Sequence, residues 1–184
     1  MKKIYIVLTY SGTVLSNIIK YYTKNEFSHV SIALDNKLYK MYSFGRLNPY
    51  NPFYGGFVHE RINKGTFKRF SNTKAAVYSL EVEDEQYKII EEKIKSMKRK
   101  RRIYKFNILG LFAVAINKRI KIKNHFYCAE FVKYILEHAK VYGNLPGIMK
   151  PEDFKELDRT RLKYKGLLRK YNPVMLEQSK YQVA

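Results

Sequence analysis

A chain of 184 residues with 46% hydrophobic side chains has enough apolar mass to fold as one domain, which excludes a disordered polycation. Its 36 Lys and Arg residues against 16 Asp and Glu residues give a formal charge of +20. Such a surface attracts polyanions, which include nucleic acid, anionic lipid and anionic cell-wall polymer. The single cysteine excludes an internal disulfide and leaves a free thiol.

The chain opens with a predicted strand and a predicted helix. Ile4, Ile6 and Leu8 alternate as in a buried strand, and no small-residue cleavage site follows them, which argues against a signal peptide. Since no apolar run is long enough to span a bilayer, we expect a cytoplasmic protein. A Ser-Gly-Thr break then caps a helix with one apolar face, which we expect to be buried and which comprises Leu15, Ile18, Ile19 and Tyr22.

A hairpin is predicted next. Apolar residues alternate over 30–34, and after a short turn a return strand is expected over 38–44. His29 begins the first strand and shares one of its faces with Ser31. Residues 45–56 contain two prolines and a Gly-Gly pair, so they are predicted to form a loop.

The second half of the chain is predicted to be mostly helical. Two strands are expected over 57–62 and 75–82, and an acidic start then opens a helix whose apolar face comprises Tyr87, Ile90, Ile94 and Met97. A short apolar helix is predicted over 108–116. Pro151 is typical of the first turn of a further helix.

These elements predict one α+β domain over residues 1–184, because the sequence contains no internal repeat and no Gly/Ser linker. Its core is expected over about 3–160, with a basic C-terminal extension over 161–184. The sheet is expected to be small and antiparallel, packed against helices.

The densest basic run consists of Lys98, Arg99, Lys100, Arg101 and Arg102. The run ends a predicted helix, where cations complement the helix dipole in any case. Five consecutive cations exceed what capping requires, so a contact with a polyanion is the alternative interpretation.

Cys128 is predicted to begin an amphipathic helix. A thiol at a helix N-terminus lies close to unpaired backbone N–H groups and to the positive end of the helix dipole, and both favour the thiolate. The helical spacing of the apolar residues turns the thiol inward, together with Phe131, Val132, Ile135, Leu136 and Ala139. Cys128 is therefore either a nucleophile or a core side chain, and its place in the first turn favours the nucleophile.

His29 is the candidate general base, since a cysteine hydrolase needs an imidazole that accepts the thiol proton. A lone histidine beside a strand can also be purely structural. A third polar group should orient the ring. With a three-residue turn, His29 pairs with Ser43 on the return strand, which makes Ser43 the candidate for this role. Tyr42 and Glu60 are the alternatives, because a shift of one residue reverses the face.

Three phrases of the sequence occur in the order typical of one enzyme family. Phe27-Ser28-His29-Val30-Ser31-Ile32, Tyr127-Cys128-Ala129-Glu130-Phe131-Val132 and Lys150-Pro151-Glu152-Asp153-Phe154 resemble, respectively, the histidine, cysteine and proline-led segments of the circularly permuted NlpC-like hydrolases. These enzymes form the YiiX-like branch of the papain-like superfamily. The resemblance extends in order from Thr9 to Leu157, but the family's third polar residue has no clear equivalent.

The resemblance implies a permuted papain-like fold in which Cys128 is the nucleophile and His29 the general base. It implies a cysteine peptidase or amidase-type hydrolase, or an acyltransferase, that forms an acyl-thioester without a cofactor. The substrate would be an amide, including peptide-type bonds from the cell wall, or an ester. Tyr10, Tyr127 and Arg46 are the candidate substrate contacts.

Two other functions are compatible with the sequence. One is a non-catalytic basic module that binds nucleic acid or another anionic surface, and the other is a lipid amide or ester hydrolase that docks on an anionic membrane. We infer no obligate protein partner. No metal site is expected, because the four histidines and the cysteine lack a close ligand spacing.

Overall fold

The computed structural model describes residues 1–48 and 51–174, apart from the side chains of Pro52, Phe53 and Ala115. The strands are β1 (Lys2–Tyr10), β2 (His29–Ala33), β3 (Met41–Asn48), β4 (Asn51–Glu60), β5 (Lys74–Val82), β6 (Lys105–Phe106), β7 (His125–Phe126) and β8 (Thr160–Leu167). The α-helices are α1 (Val14–Thr23), α2 (Gly65–Arg69), α3 (Asp84–Arg99), α4 (Ile108–Ala115) and α5 (Cys128–His138). Short 3₁₀ helices cover Arg101–Ile103, Pro151–Lys155 and Leu168–Lys170.

The strands of the described residues form one eight-stranded sheet in the order β7-β6-β4-β3-β2-β1-β5-β8. Neighbouring strands are antiparallel except for β6 and β7, which are parallel. The α+β class is confirmed, whereas the predicted small antiparallel sheet is instead a mixed sheet of eight strands. Strand β8 pairs with β5, so the sheet continues beyond residue 160 into the segment expected as an extension.

The sheet is covered on both faces, and β1 shows how. Ile4, Ile6 and Leu8 point towards the side that holds α3 and α5, and they form the larger core with residues of those helices. Val7 points to the opposite side and packs in a smaller core with Phe67 of α2. This alternation follows from the two-residue period of a strand. It places α5, which begins with Cys128, directly against β2 and β3.

The β2–β3 hairpin differs from the predicted one. The carboxylate of Asp35 accepts hydrogen bonds from two backbone N–H groups of the turn, at 3.0 and 2.6 Å, and these bonds stabilise a turn wider than three residues. The ladder is consequently shifted by two residues from the predicted register. Continuing it along both strands sets Gly45, and not Ser43, opposite His29, so the predicted pairing is wrong.

The sequence predicts a loop over 45–56, but most of this segment belongs to the β3–β4 hairpin. Its glycines mark close contacts within the sheet. A Cβ atom on Gly55 would lie 2.8 Å from the Cβ of Phe106 and 2.9 Å from the carbonyl oxygen of Gly45. Glycine is therefore required there because β6 approaches β4 closely.

Strands β1 and β5 and helices α3, α4 and α5 lie where the sequence predicts them. Helix α1 also lies as predicted, and the Thr13 hydroxyl caps it by accepting a hydrogen bond from the Ser16 N–H at 3.3 Å. The predicted burial of its apolar face is wrong for Ile18 and Tyr22, which are both exposed. None of the described helices combines the length and apolarity needed to cross a bilayer.

Candidate active site

Cys128 is the first residue of α5. Tyr127 before it is the N-cap residue and has extended backbone angles, so the chain enters the helix at the cysteine itself. The thiol residue is only 3% exposed. Backbone N–H groups in the first turn of a helix have no intrahelical acceptor, and they surround the thiol with positive partial charge.

His29 begins β2, the strand against which α5 packs. The Cys128 side chain lies close enough to the imidazole ring to help raise the pKa of His29, and both residues line the same cavity. The His29 side chain is 23% exposed, so one part of the ring faces the adjacent cavity. The two residues that the sequence predicts as nucleophile and base thus lie in contact.

Glu60, the last residue of β4, is the carboxylate beside this imidazole. Its Oε1 atom lies 3.0 Å from Nε2 of His29. Ser31 donates a hydrogen bond to Oε2 of the same carboxylate. The Ser43 hydroxyl is buried next to Glu60 and helps to lower its pKa, although it forms no hydrogen bond of ordinary geometry with any described residue.

The charges of the His29 imidazolium and the Glu60 carboxylate stabilise each other. Burial disfavours the charged imidazolium, but the Glu60 carboxylate and the Cys128 side chain outweigh burial and raise the pKa of His29 to about 10. Burial also acts to raise the pKa of Glu60, but the charge of His29 and hydrogen bonds from neighbouring side chains hold that pKa below its ordinary value. The proton is therefore held on the imidazole, between a carboxylate and a thiol.

A cavity of about 600 Å³, including its open mouth, adjoins this group. Cys128, His29 and Glu60 line it together with Arg46 of β3. The Ser28 hydroxyl also faces this side of Cys128, and it is buried without a hydrogen-bond partner among the described residues.

A second, narrower groove also adjoins the thiol. Cys128 and Ser28 line it as well, but most of its other walls are apolar side chains of α1 and α4. Cys128 therefore borders both the cavity, which His29, Glu60 and Arg46 also line, and the apolar groove.

The three candidate substrate contacts are in different places. The guanidinium of Arg46 lies over the ring of Phe70, 5.5 Å from its centroid, at the wall of the cavity. Tyr127 lines the apolar groove and its hydroxyl donates a hydrogen bond to a backbone carbonyl at 3.4 Å. Tyr10 does not line either space, and its hydroxyl donates to Oδ1 of Asn17 at 2.6 Å, which ties α1 to β1.

The remaining candidates lie away from the thiol. Tyr42 stacks on His59 with their ring centroids 4.8 Å apart, so it does not contact the imidazole of His29. The basic run over 98–102 is exposed at the end of α3 and lines neither the cavity nor the groove. Among the residues that the structure describes, no three metal-ligating side chains form a cluster.

Two residues of the site had no predicted role. Ser31 could have been found, because it shares a strand face with His29 and is a hydroxyl two residues away. Ser28 could not, because its position beside Cys128 depends on how α5 packs on β2.

Comparison with models of known protein families finds no match, and comparison with curated proteins finds no significant one. The resemblance to the permuted NlpC-like hydrolases accordingly stays a prediction, which depends on the three sequence phrases alone.

Proposed function

We propose that this protein is a cysteine-nucleophile hydrolase or acyltransferase of permuted papain-like type, which acts on an amide or ester bond. In this proposal Cys128 is the nucleophile, His29 is the general base and Glu60 orients the imidazole. The observation that carries the proposal is the contact of these three side chains, which come from α5, β2 and β4, at the wall of an open cavity.

The proposed reaction begins with attack of the Cys128 sulfur on the carbonyl carbon, which forms a C–S bond and an oxyanion. The backbone N–H of Cys128 is suitably placed by its helix position to donate to that oxyanion. The Ser28 hydroxyl, which has no hydrogen-bond partner among the described residues, is a second donor. His29 then gives its proton to the leaving amine or alcohol as the C–N or C–O bond breaks, and an acyl-thioester remains on the sulfur.

The second half of the reaction regenerates the thiol. A water molecule attacks the thioester carbonyl while His29 accepts its proton, and the C–S bond breaks to release a carboxylic acid. If an alcohol or amine attacks in place of water, the same steps give acyl transfer. The chain therefore needs no redox partner and no cofactor for this chemistry.

A structural role for Cys128 explains fewer of these contacts. A thiol that only fills the core packs among apolar side chains and needs no charged partner. Here the thiol contacts an imidazole whose proton is stabilised by a buried carboxylate, and a buried ion pair is costly unless its geometry is well satisfied. Strongly perturbed groups of this kind occur preferentially at active sites.

Alkylation with iodoacetamide tests the proposal without a known substrate. We expect rapid alkylation of Cys128 at about pH 6 in the wild type, because an imidazolium next to a thiol favours the nucleophilic thiolate form. His29→Ala should abolish the rapid reaction, whereas His138→Ala, which removes an exposed histidine at the other end of α5, should leave it unchanged. Slow alkylation with an ordinary thiol profile in all three proteins would refute the nucleophile assignment.

The exposed basic run over 98–102 supports a second candidate function, binding of a polyanion. A pure binder would lose affinity steeply with salt and would be indifferent to Cys128→Ala. Measuring both the salt dependence of nucleic-acid binding and the effect of Cys128→Ala on ester hydrolysis separates the two functions.

A further inference from the structure

Helices α1 and α4 lie side by side next to the thiol, and both leave large apolar side chains in solvent. On α1, Tyr21 is 79% exposed, and on α4, Leu109 is 58% exposed. Both helices also expose further apolar residues, namely Val14, Ile18, Tyr22 and Phe112. A contiguous apolar surface of this kind on a folded domain commonly marks an interaction site.

The loop after α4 continues this surface with an alternating pattern. Ile116 is 65% exposed and Ile120 is 42% exposed, and Ile122 is also exposed. The cations of the loop, which are all exposed, are Lys118, Arg119, Lys121 and Lys123. No Asp or Glu occurs over residues 1–25 or 93–129, so the whole surface formed by α1, α4 and residues 116–123 carries no acidic side chain. We call this surface the α1–α4 face.

We propose that the α1–α4 face docks on an anionic lipid bilayer and that the substrate of Cys128 is an acyl ester or amide of a lipid in that bilayer. This inference rests on the proposed function. A bilayer surface fits the pattern because isoleucine, leucine and aromatic side chains enter the acyl boundary while lysine and arginine contact the phosphates. A second copy of the chain does not fit, since two cationic faces would repel each other.

The apolar groove connects the α1–α4 face to Cys128. Its walls include Ile18 and Tyr22 of α1 and Phe112 of α4, and it ends at Cys128. An acyl chain that enters between the two helices brings its carbonyl carbon to the sulfur. Attack there forms the acyl-thioester, and the proton from His29 leaves with the lipid alcohol or amine.

Asn107 fixes the docking loop relative to the active site. Its Nδ2 donates a hydrogen bond to the carbonyl oxygen of Ile120 at 2.8 Å, and its Oδ1 accepts one from the N–H of Gly110 at 2.9 Å. The side chain is buried beside Glu130, in the first turn of α5, where it offsets part of the rise that burial causes in the pKa of that carboxyl. Asn107 thereby fixes the position of the loop relative to α4, next to the start of α5.

Vesicle flotation of the Cys128→Ser protein tests docking separately from catalysis. We expect it to float with vesicles of equal parts phosphatidylcholine and phosphatidylglycerol, to remain behind with phosphatidylcholine alone, and to bind less at high salt. Ile120→Glu should weaken flotation about tenfold, because it places a carboxylate at the acyl boundary.

The matched control is Leu162→Glu, a comparable substitution at a 53% exposed residue of β8, at the opposite edge of the sheet from β7. It should float like the parent. Unchanged thermal unfolding of both variants shows that neither has lost its fold, and Ile122→Glu replaces Ile120→Glu if the latter unfolds. Equal loss of flotation in both variants, or no loss with Ile120→Glu, overturns the assignment of this face.

The substrate class is tested with the wild type and the same vesicles. We expect release of lysophospholipid by the wild type, because deacylation of the lipid is common to hydrolysis and acyl transfer, and no release by Cys128→Ser. Flotation without release would overturn the lipid substrate. If Cys128 alkylates rapidly in a His29-dependent manner but the protein does not float, the docking inference fails while the proposed function stands. If it floats but the thiol is unreactive, the proposed function fails and the acyl substrate with it.

Discussion

Replacing Glu60 by Gln removes one negative charge next to the imidazole and keeps the size of the side chain. The carboxylate oxygen lies 3.0 Å from Nε2 of His29. Two unit charges at this separation attract by roughly 5 kcal/mol at an effective dielectric constant of about 20, and desolvation of both groups offsets a large part of that energy. A net contribution of about 2 kcal/mol follows, as for other hydrogen bonds to charged groups.

This loss lowers the population of the thiolate–imidazolium pair. Without the carboxylate, the pKa of His29 moves back towards its ordinary value, and the imidazole holds the thiol proton less well at acidic pH. A change of about 2 kcal/mol corresponds to about 30-fold, so we expect alkylation of Cys128 at about pH 6 to slow by that factor in Glu60→Gln.

Rates of iodoacetamide alkylation measured from acidic to alkaline pH provide the assay. The control is Glu91→Gln, which removes a surface carboxylate that pairs with Lys95 at 2.9 Å, and it should alkylate like the wild type. If Glu60→Gln and Glu91→Gln give the same pH profile as the wild type, the carboxylate does not act on the thiol through His29. The orienting role of Glu60 would then be wrong even if Cys128 is the nucleophile.

Three further outcomes are expected. Ser28→Ala should slow hydrolysis of an activated ester about tenfold or more, because an oxyanion donor is lost, while alkylation of the thiol stays unchanged. Gly110→Ala should lower stability by about 1 kcal/mol in thermal unfolding, because its Cβ would lie 2.3 Å from Nδ2 of Asn107 and disrupt the cap of α4. The control Gly143→Ala should leave stability unchanged, since the space around Gly143 is open. Because folding raises the pKa of His29 from 6.5 to about 10, its stabilisation is complete below about pH 6.5 and is lost as pH rises through about 10. The difference in unfolding free energy between wild type and His29→Ala, measured with denaturant, should therefore be largest near pH 6.5 and should shrink towards pH 10. An equal difference at both pH values would contradict the raised pKa of His29.

The sequence predicts those elements whose apolar spacing reflects burial on one side of a helix or strand. Helix α3 is an example, since Ile90, Ile94 and Met97 are all buried and a capping box of Glu83 and Gln86 marks its start. The β3–β4 hairpin was not predictable in this way. Its glycines allow β6 to approach closely, and that contact joins segments far apart in the chain.

The residues of the candidate active site show the same distinction between local and long-range signals. Cys128 and His29 are recognisable because each begins a helix or strand, which is a local property of the sequence. The choice between Ser43 and Glu60 depends on the register of the β2–β3 ladder, and the hydrogen bonds of Asp35 determine that register. Because the register differs by two residues from the predicted one, Gly45 and not Ser43 lies opposite His29. The residue that contacts the imidazole is Glu60 of β4.

The position of Cys128 also limits which substrates the proposed chemistry suits. The start of α5 lies where the sheet meets the α1 and α4 pair, so a carbonyl carbon at the sulfur borders both the cavity that Arg46 lines and the apolar groove. A short peptide would leave the groove empty and its apolar walls in contact with water, which is unfavourable. A long acyl chain would fill the groove and direct its polar leaving group towards Arg46, whose positive charge suits an anionic head. Comparing turnover of ester substrates that differ only in acyl-chain length therefore measures how much the groove contributes, and equal turnover for short and long chains would mean that the groove does not bind the acyl group.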